Sequence, residues 1–252
     1  MAERNGSLGR VASDGTDRHL VASDIVAGYG NHEVLHDVSL RSHDGITCVL
    51  GPNGSGKSTL LKTLAGKHQP WSGSIRFGDV DITRSGSHEV VREGIVHVPQ
   101  DGGLFSSMSV LENLKLGAHT VDDQDITNNR LEAVLDVFPD LEEKLDKQAR
   151  SLSGGQQMML AFARAMMTGA TLYELDEPLA GLAPAIVDDI LEHIVTLSDQ
   201  EVQVILVEQR VRAALEIADH VYLLAQGEIQ FDGSPAELTD EDELMDLYLG
   251  IE

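Results

Sequence analysis

The chain has 252 residues, with 42 acidic against 18 basic, for a formal net charge of −24. That charge repels phosphate backbones and anionic headgroups, which excludes general nucleic-acid binding and attachment to lipid through a basic patch. A hydrophobic content of 42% is too high for a wholly disordered acidic chain, and a single cysteine, Cys48, excludes intrachain disulfides and multi-cysteine zinc sites.

The length suits one compact α/β domain that carries a subdomain. Residues 1–19, rich in Gly, Ser, Asp and Arg, read as a disordered tail without the apolar centre of a signal peptide. No apolar run approaches the roughly 20 residues needed to cross a bilayer. Short apolar runs at 20–26, 34–40 and 46–50, bounded by Gly, Asn and Asp, predict strands, and 71–77 and 94–98 predict two more. From Ser109 to about Arg150 the pattern is helical. Ser109 and Glu112 form a capping box, and Leu131, Val134, Leu135 and Phe138 make one apolar stripe ended by Pro139. A helical subdomain over about 104–165 is thus expected inside an α/β frame.

The alternation then returns. A helix is expected at 157–167, a strand at 171–175, and a helix whose apolar face is Ile186, Val187, Ile190, Leu191 and Ile194. Strands at 202–207 and 221–225 flank a helix at 211–218. Gln226-Gly227 reads as a turn into a strand at 228–231, and Ser234, Pro235 and Glu237 open a last helix. This order implies a largely parallel core sheet. Only six of the 18 basic residues are Lys, and a carboxylate-rich, lysine-poor surface suits concentrated salt, so a halophilic source is expected.

Gly51-Pro52-Asn53-Gly54-Ser55-Gly56-Lys57-Ser58, followed by Thr59, fits G-x-x-x-x-G-K-[ST] between an apolar run and a helix-like stretch at 59–65. Glycines let backbone N–H groups wrap phosphates at a helix N-terminus, Lys57 reaches the β/γ-phosphates, and the Ser58 hydroxyl suits Mg²⁺. A second strand ends in Asp176-Glu177-Pro178. Asp176 would hold the Mg²⁺ shell and Glu177 would act as general base on a water beside the γ-phosphate. Between them lies Leu152-Ser153-Gly154-Gly155-Gln156, in which Ser153 caps a helix and the glycines suit phosphate oxygens.

This ordered set resembles the ATP-binding subunits of ABC transporters from about residue 20 to the C-terminus. The resemblance implies a P-loop NTPase core with a mixed, largely parallel sheet, an antiparallel β portion at its N-terminal end and the inserted helical subdomain, spanning 20–252. It implies that Gln100 belongs to the loop that touches Mg²⁺ and the attacking water. It also implies that Tyr29 stacks on adenine, that Ser153, Gly154, Gly155 and Gln156 contact nucleotide held by a second subunit, and that Gly181 and Leu182 cross that dimer interface. Finer stretches, Leu152–160 (LSGGQQMML), Gly181-Leu182-Ala183-Pro184 and Val207-Glu208-Gln209, are similar to the shorter ATPase subunit of branched-chain amino acid transporters.

The chemistry then implied is ATP hydrolysis with Mg²⁺. The partners implied are a second ABC ATPase subunit, membrane permease subunits reached through the groove near Gln100 and residues 101–113, and an extracellular substrate-binding protein. The location implied is cytoplasmic, peripheral on the inner face of the membrane. A urea or short-amide importer ATPase, or a nucleotide-gated regulatory module with little turnover, stand as alternatives. Three positions depart from the family pattern. Gln209 occupies the switch-histidine position, Leu179 replaces a small residue, and Glu174 stands where an aliphatic strand residue belongs. A buried carboxylate there requires either a partner or a less buried strand face.

Overall fold

The computed structural model of the protein describes residues 18–119, 121 and 123–238. The chain starts with β1 (Leu20–Tyr29) and β2 (His32–Arg41), an antiparallel pair. The fully buried β3 (Ile46–Leu50) follows, then the helix α1 (Lys57–Leu64). β4 (Ser72–Phe77) returns to pair antiparallel with β1, and the two-residue β5 (Val80–Asp81) completes a sheet of order β2-β1-β4-β5. Next come the short α2 (Ser87–Arg92) and β6 (Ile95–Val98).

Helices then dominate: α3 (Val110–Gly117), α4 (Gln124–Val137), α5 (Pro139–Glu142), a 3₁₀ turn at Ala149–Ser151 and α6 (Gly154–Met166). After α6 the chain alternates through β7 (Leu172–Asp176), α7 (Pro184–Ser198), β8 (Gln203–Glu208), α8 (Val211–Leu215), β9 (His220–Ala225) and β10 (Glu228–Gly233). The core sheet has the order β10-β9-β3-β8-β7-β6, parallel except for the β9–β10 hairpin.

Two apolar layers follow from strand alternation. Cys48, Leu50, Tyr173, Leu175, Val204 and Leu206 face α6 and α7, whereas Val49, Leu172, Ile205 and Val207 face α1 and the antiparallel sheet. Because β3, β6, β7 and β8 run in parallel, their C-terminal ends share one edge. The P-loop, Gln100, Asp176-Glu177 and Glu208-Gln209 all leave the sheet there, as ligand sites do in parallel α/β sheets.

The capping box is present: Ser109 N–H donates to Glu112 Oε2 at 2.7 Å and Glu112 N–H donates to Ser109 Oγ at 3.1 Å. In the expected stripe, Val134 and Phe138 are buried, while Leu131 and Leu135 are partly covered. Pro139 ends α4 by opening α5. The structure adds β5 and α2, which the sequence pattern does not mark. Both residues of β5 are exposed and α2 buries only Val90, so neither has an apolar period. Helix α8 stops at Leu215 instead of 218.

Arg18 and His19, counted with the tail, belong to the fold. Arg18 pairs with Glu93 at 2.9 Å and lies over the Phe77 ring, and His19 accepts from Gly78 N–H through its carbonyl. The remaining tail, residues 1–17, lies outside the described residues. Ser234 does cap a turn, but the described part, Pro235–Glu237, is 3₁₀, and residues from 239 onward are also outside them. Among the described residues no helix is long and apolar enough to cross a membrane.

Candidate active site

The P-loop is built by the end of β3. Gly51, Ser55 and Gly56 are buried, Pro52 is half-buried, and Asn53 and Gly54 are exposed. Gly56 caps α1 at φ +110°, a backbone conformation that only glycine adopts readily, and no side chain caps this helix. The first N–H groups of α1 are thus not taken by a side-chain acceptor, which is the arrangement an anion needs. Ser55 Oγ is buried without a hydrogen-bond partner. Ser58 is exposed at the start of α1, and Thr59 is buried beneath it.

Lys57 is only 4% exposed, and its Nζ donates to the carbonyls of Gly51 (2.7 Å) and Pro52 (3.0 Å). It also stands 3.4 Å from Glu177 Oε1. Burial lowers the Lys57 pKa, and the charge and hydrogen bond of Glu177 oppose that shift.

Glu177 follows β7 at φ +47°, an uncommon conformation for a residue with a side chain, which costs on the order of 1 kcal/mol. The surroundings hold it there. Its N–H donates to Val207 O at 2.9 Å, and its Oε2 accepts from Gln209 Nε2 at 2.6 Å. The residue is 8% exposed, so its carboxylate sits in a largely water-excluded place. Burial raises the Asp176 pKa, the adjacent Glu177 raises it further, and His97, Lys62 and Lys57 pull it down. Asp176 and Glu177 are neighbouring carboxylates, which supply oxygens of the hard kind that suits Mg²⁺.

Lys57, Glu177 and Gln209, which the sequence separates widely, are therefore in contact, and Asp176 lies beside them. Gln100 is exposed at the end of β6, where Arg164 donates to the carbonyls of Gly102 (3.0 Å) and Gly103 (2.8 Å) and fixes the loop that follows it. Tyr29 is exposed, with one face packed on His68 at a centroid distance of 4.8 Å. Ser153 and Gly154 are exposed at the start of α6.

Two residues of that segment also have partners within the protein. Gly155 is buried, and a Cβ there would press on Ile186 Cγ2, so packing against α7 accounts for this glycine. The Gln156 side chain accepts from Ser153 N–H at 3.1 Å as a capping partner.

Glu174 resolves one way. It is 0% exposed, so the strand face is not open, and the facing residue on β6 is His97, whose Nδ1 is 3.5 Å from Glu174 Oε2. That distance makes a poor hydrogen bond, and neither carboxyl oxygen has another partner. Burial raises the Glu174 pKa, against the pull of His97 and Lys67.

Sequence reasoning gave no role to two further groups. Glu208 takes backbone donors from two loops, and Arg210 Nη2 donates to Leu182 O at 3.1 Å. A Glu and an Arg at a strand end carry no distinguishing sequence signal.

Residues 35–180 match the family model described as ABC transporter. The chain is 40% identical over 227 residues to the probable branched-chain amino acid transport ATP-binding protein LivF of Archaeoglobus fulgidus, covering 89% of this chain and 96% of that protein. It is 41% identical over 223 residues to the high-affinity branched-chain amino acid transport ATP-binding protein BraG of Pseudomonas aeruginosa, covering 88% and 95%. Identity to the lipopolysaccharide export system ATP-binding protein LptB of Escherichia coli K12 is 32%, over 92% and 97% of the two chains. The fold superposes on the ADP conformation of MJ1267, an ATP-binding cassette of an ABC transporter, with a TM-score of 0.83 and 28% identity, over 92% and 99% of the chains. With this nucleotide-site geometry and relatives of 40% identity along most of its length, the chain belongs to the ABC transporter family and is an ATPase of that type.

Proposed function

We propose that this ATPase powers an importer of branched-chain amino acids. The two relatives of highest identity above carry that name, and the observation that carries the hydrolytic reading is the contact series Gln209–Glu177–Lys57. Lys57 and the free N–H groups of α1 hold the phosphates of ATP. Glu177 accepts a proton from the attacking water as the phosphoryl group passes to that water and ADP leaves. Gln209 holds the Glu177 carboxylate through a neutral amide. Ser58, Asp176 and Gln100 are the side chains that would hold Mg²⁺, which supplies charge neutralisation at the phosphates when bound. Pro52, Asn53 and Thr59 complete the phosphate loop, and Tyr29 offers its exposed ring face to the base.

Ser153 and Gly154 serve nucleotide held by a second ATPase subunit, with Gly155 and Gln156 shaping that helix start. The loop 101–113 is the contact with membrane permease subunits. Phe105 there is 53% exposed, an apolar group suited to burial in a partner, and Asn113 holds its backbone from α3. An extracellular binding protein delivers the substrate. We assign one domain to 20–252, with about 104–165 as its helical part, at the inner face of the membrane, and a halophilic source to the acidic surface. Similarity to LptB favours an export system as a second reading.

Glu177→Gln tests the catalytic reading: it keeps the side chain's shape but removes the base, so ATP should still bind while steady-state turnover is lost, whereas Lys57→Ala should weaken binding itself. Wild-type turnover in Glu177→Gln would end this assignment. Reconstitution with the permeases then separates leucine uptake from urea uptake and from export.

A further inference from the structure

The hydrolytic reading above gives no task to Glu208, a buried acid beside the site. Glu208 ends β8, is 2% exposed, and contacts neither Lys57 nor the P-loop through any hydrogen bond or ion pair among the described residues. Its Oε1 accepts the N–H of Leu179 at 2.8 Å. Its Oε2 accepts the N–H groups of Gln209 at 3.1 Å and Arg210 at 3.4 Å. One carboxylate thus takes three backbone donors from two different loops.

Both loops carry the chemistry. The first, Pro178–Leu182, follows Glu177 and turns back on it, since Ala180 N–H donates to Glu177 O at 3.0 Å. The second presents Gln209, whose amide holds the Glu177 carboxylate at 2.6 Å. A further tie joins the same two loops on the surface, where Arg210 Nη2 donates to Leu182 O at 3.1 Å. Leu179, larger than the small residue of the family pattern, is fully buried beside its N–H donor and anchors that loop in the core.

We propose that Glu208, with Arg210 outside it, is a positioning residue for hydrolysis that fixes the Gln209 loop against the Pro178–Leu182 loop. It sets where Gln209 places the Glu177 carboxylate and where Gly181 and Leu182 stand for a second subunit, without touching nucleotide. A carboxylate presents two acceptor oxygens, and here each is committed to a different loop. Glutamine, of nearly the same size, has one acceptor oxygen and one NH₂ group, so it must turn a donor toward N–H donors on one side. Either orientation releases one loop from the other. A displacement of a catalytic group by about 1 Å costs up to roughly a hundredfold in rate. Phosphate binding, which belongs to the P-loop and α1, should not feel the change.

The inference rests on the ATPase reading, so the wild-type protein is the reference. Steady-state kcat and KM, the dissociation constant for MgATP, and a melting curve are measured for wild type, Glu208→Gln and Arg210→Ala. The expected result for Glu208→Gln is a kcat lowered at least about tenfold with MgATP affinity within about twofold of wild type. Combined with Gln209→Ala, Glu208→Gln should add little further loss, because both act on the placement of Glu177. Arg210 is exposed, so Arg210→Ala should fold whatever becomes of Glu208→Gln, and should lower kcat in the same direction by a smaller factor.

An inactive wild type would overturn the ATPase reading itself. An active wild type with kcat unchanged in Glu208→Gln would overturn this inference alone. So would rate losses that multiply fully with those of Gln209→Ala. If Glu208→Gln does not fold, an Arg210→Ala protein with unchanged kcat would overturn it as well.

Discussion

Glu174→Leu should stabilise the protein. Glu174 is fully buried on β7 between Ile205 of β8 and His97 of β6, with Leu172 two residues before it on the same face. Its carboxyl oxygens lack hydrogen-bond partners, and His97 Nδ1 stands 3.5 Å away. Burial pushes its pKa up, so what the fold bears is a buried carboxyl whose hydrogen bonds to water are not replaced, a cost of about 1–3 kcal/mol. Leucine has a similar volume and belongs with Ile205 and Leu172, so no large cavity opens. Replacing buried ionic groups with well-packed apolar ones commonly stabilises by about 1–4 kcal/mol, which agrees with that range. With an unfolding entropy of about 2.1 cal/mol/K per residue, the 252-residue chain has about 0.5 kcal/mol/K, and the gain becomes a rise in melting midpoint of about 2–6 °C. Thermal and urea melts of the two proteins measure it. A lowered midpoint would refute the reasoning, because it would mean that the interactions with His97 and Lys67 outweigh the burial cost.

Three other outcomes are expected. Gln209→Ala should slow single-turnover hydrolysis at least about tenfold and leave ATP affinity nearly intact, and a rate within about twofold of wild type would make Gln209 structural. With a net charge of −24, the fold should melt lower in 0.1 M than in molar KCl, and equal midpoints would remove the halophile reading. His43 stacks on His220 at 3.8 Å, with the Tyr222 hydroxyl 3.4 Å from its Nε2 and Arg41, Asp232 and His19 around it, and burial first, then His220, lower its pKa. The folded state therefore prefers neutral His43. That contribution is present above the ordinary histidine pKa of about 6.5 and is lost as pH falls toward the depressed value, so His43→Gln should shrink the drop in melting midpoint between about pH 7 and about pH 5.

The sequence exposes the parts of this molecule that repeat a local rule. Strand β3 reads from the buried run at 46–50, α3 from Ser109 and Glu112, and the P-loop from its glycines, because each rule acts within a few residues. What short-range rules cannot carry is pairing across the sheet. That Lys57 meets Glu177, and Glu177 meets Gln209, depends on β3, β8 and β7 lying side by side in that order. The resemblance to a family placed these residues in one site, whereas composition and periodicity did not. Gly155 shows a further demand that short-range rules do not carry. The phosphate-binding signature calls for a glycine there, and Ile186 in α7, 31 positions along the chain, also occupies the space its Cβ would need. Glu208 reads in the sequence as one letter of a branch pattern, and only the fold brings to it the backbone donors of two loops.

The electrostatics of the site argue for the form in which nucleotide arrives. Asp176, Glu177 and Glu208 crowd the ends of β7 and β8, and Glu177 raises the pKa of each of the other two. Lys57 is the cation buried among them, and it already shares its protons with Glu177 and with two P-loop carbonyls. Naked ATP would bring further negative charge into an environment with an excess of it, in a low dielectric where the repulsion is strongest. The α1 N-terminus contributes a partial positive charge of about one half, too little to offset a triphosphate. A divalent cation on the phosphates would reverse the balance, and on the proposed reading Asp176 would become its ligand instead of a source of repulsion. On the proposed reading, the carboxylates that crowd this site would select the metal complex over the free nucleotide, and the positive φ of Glu177 fixes where its carboxylate leaves β7.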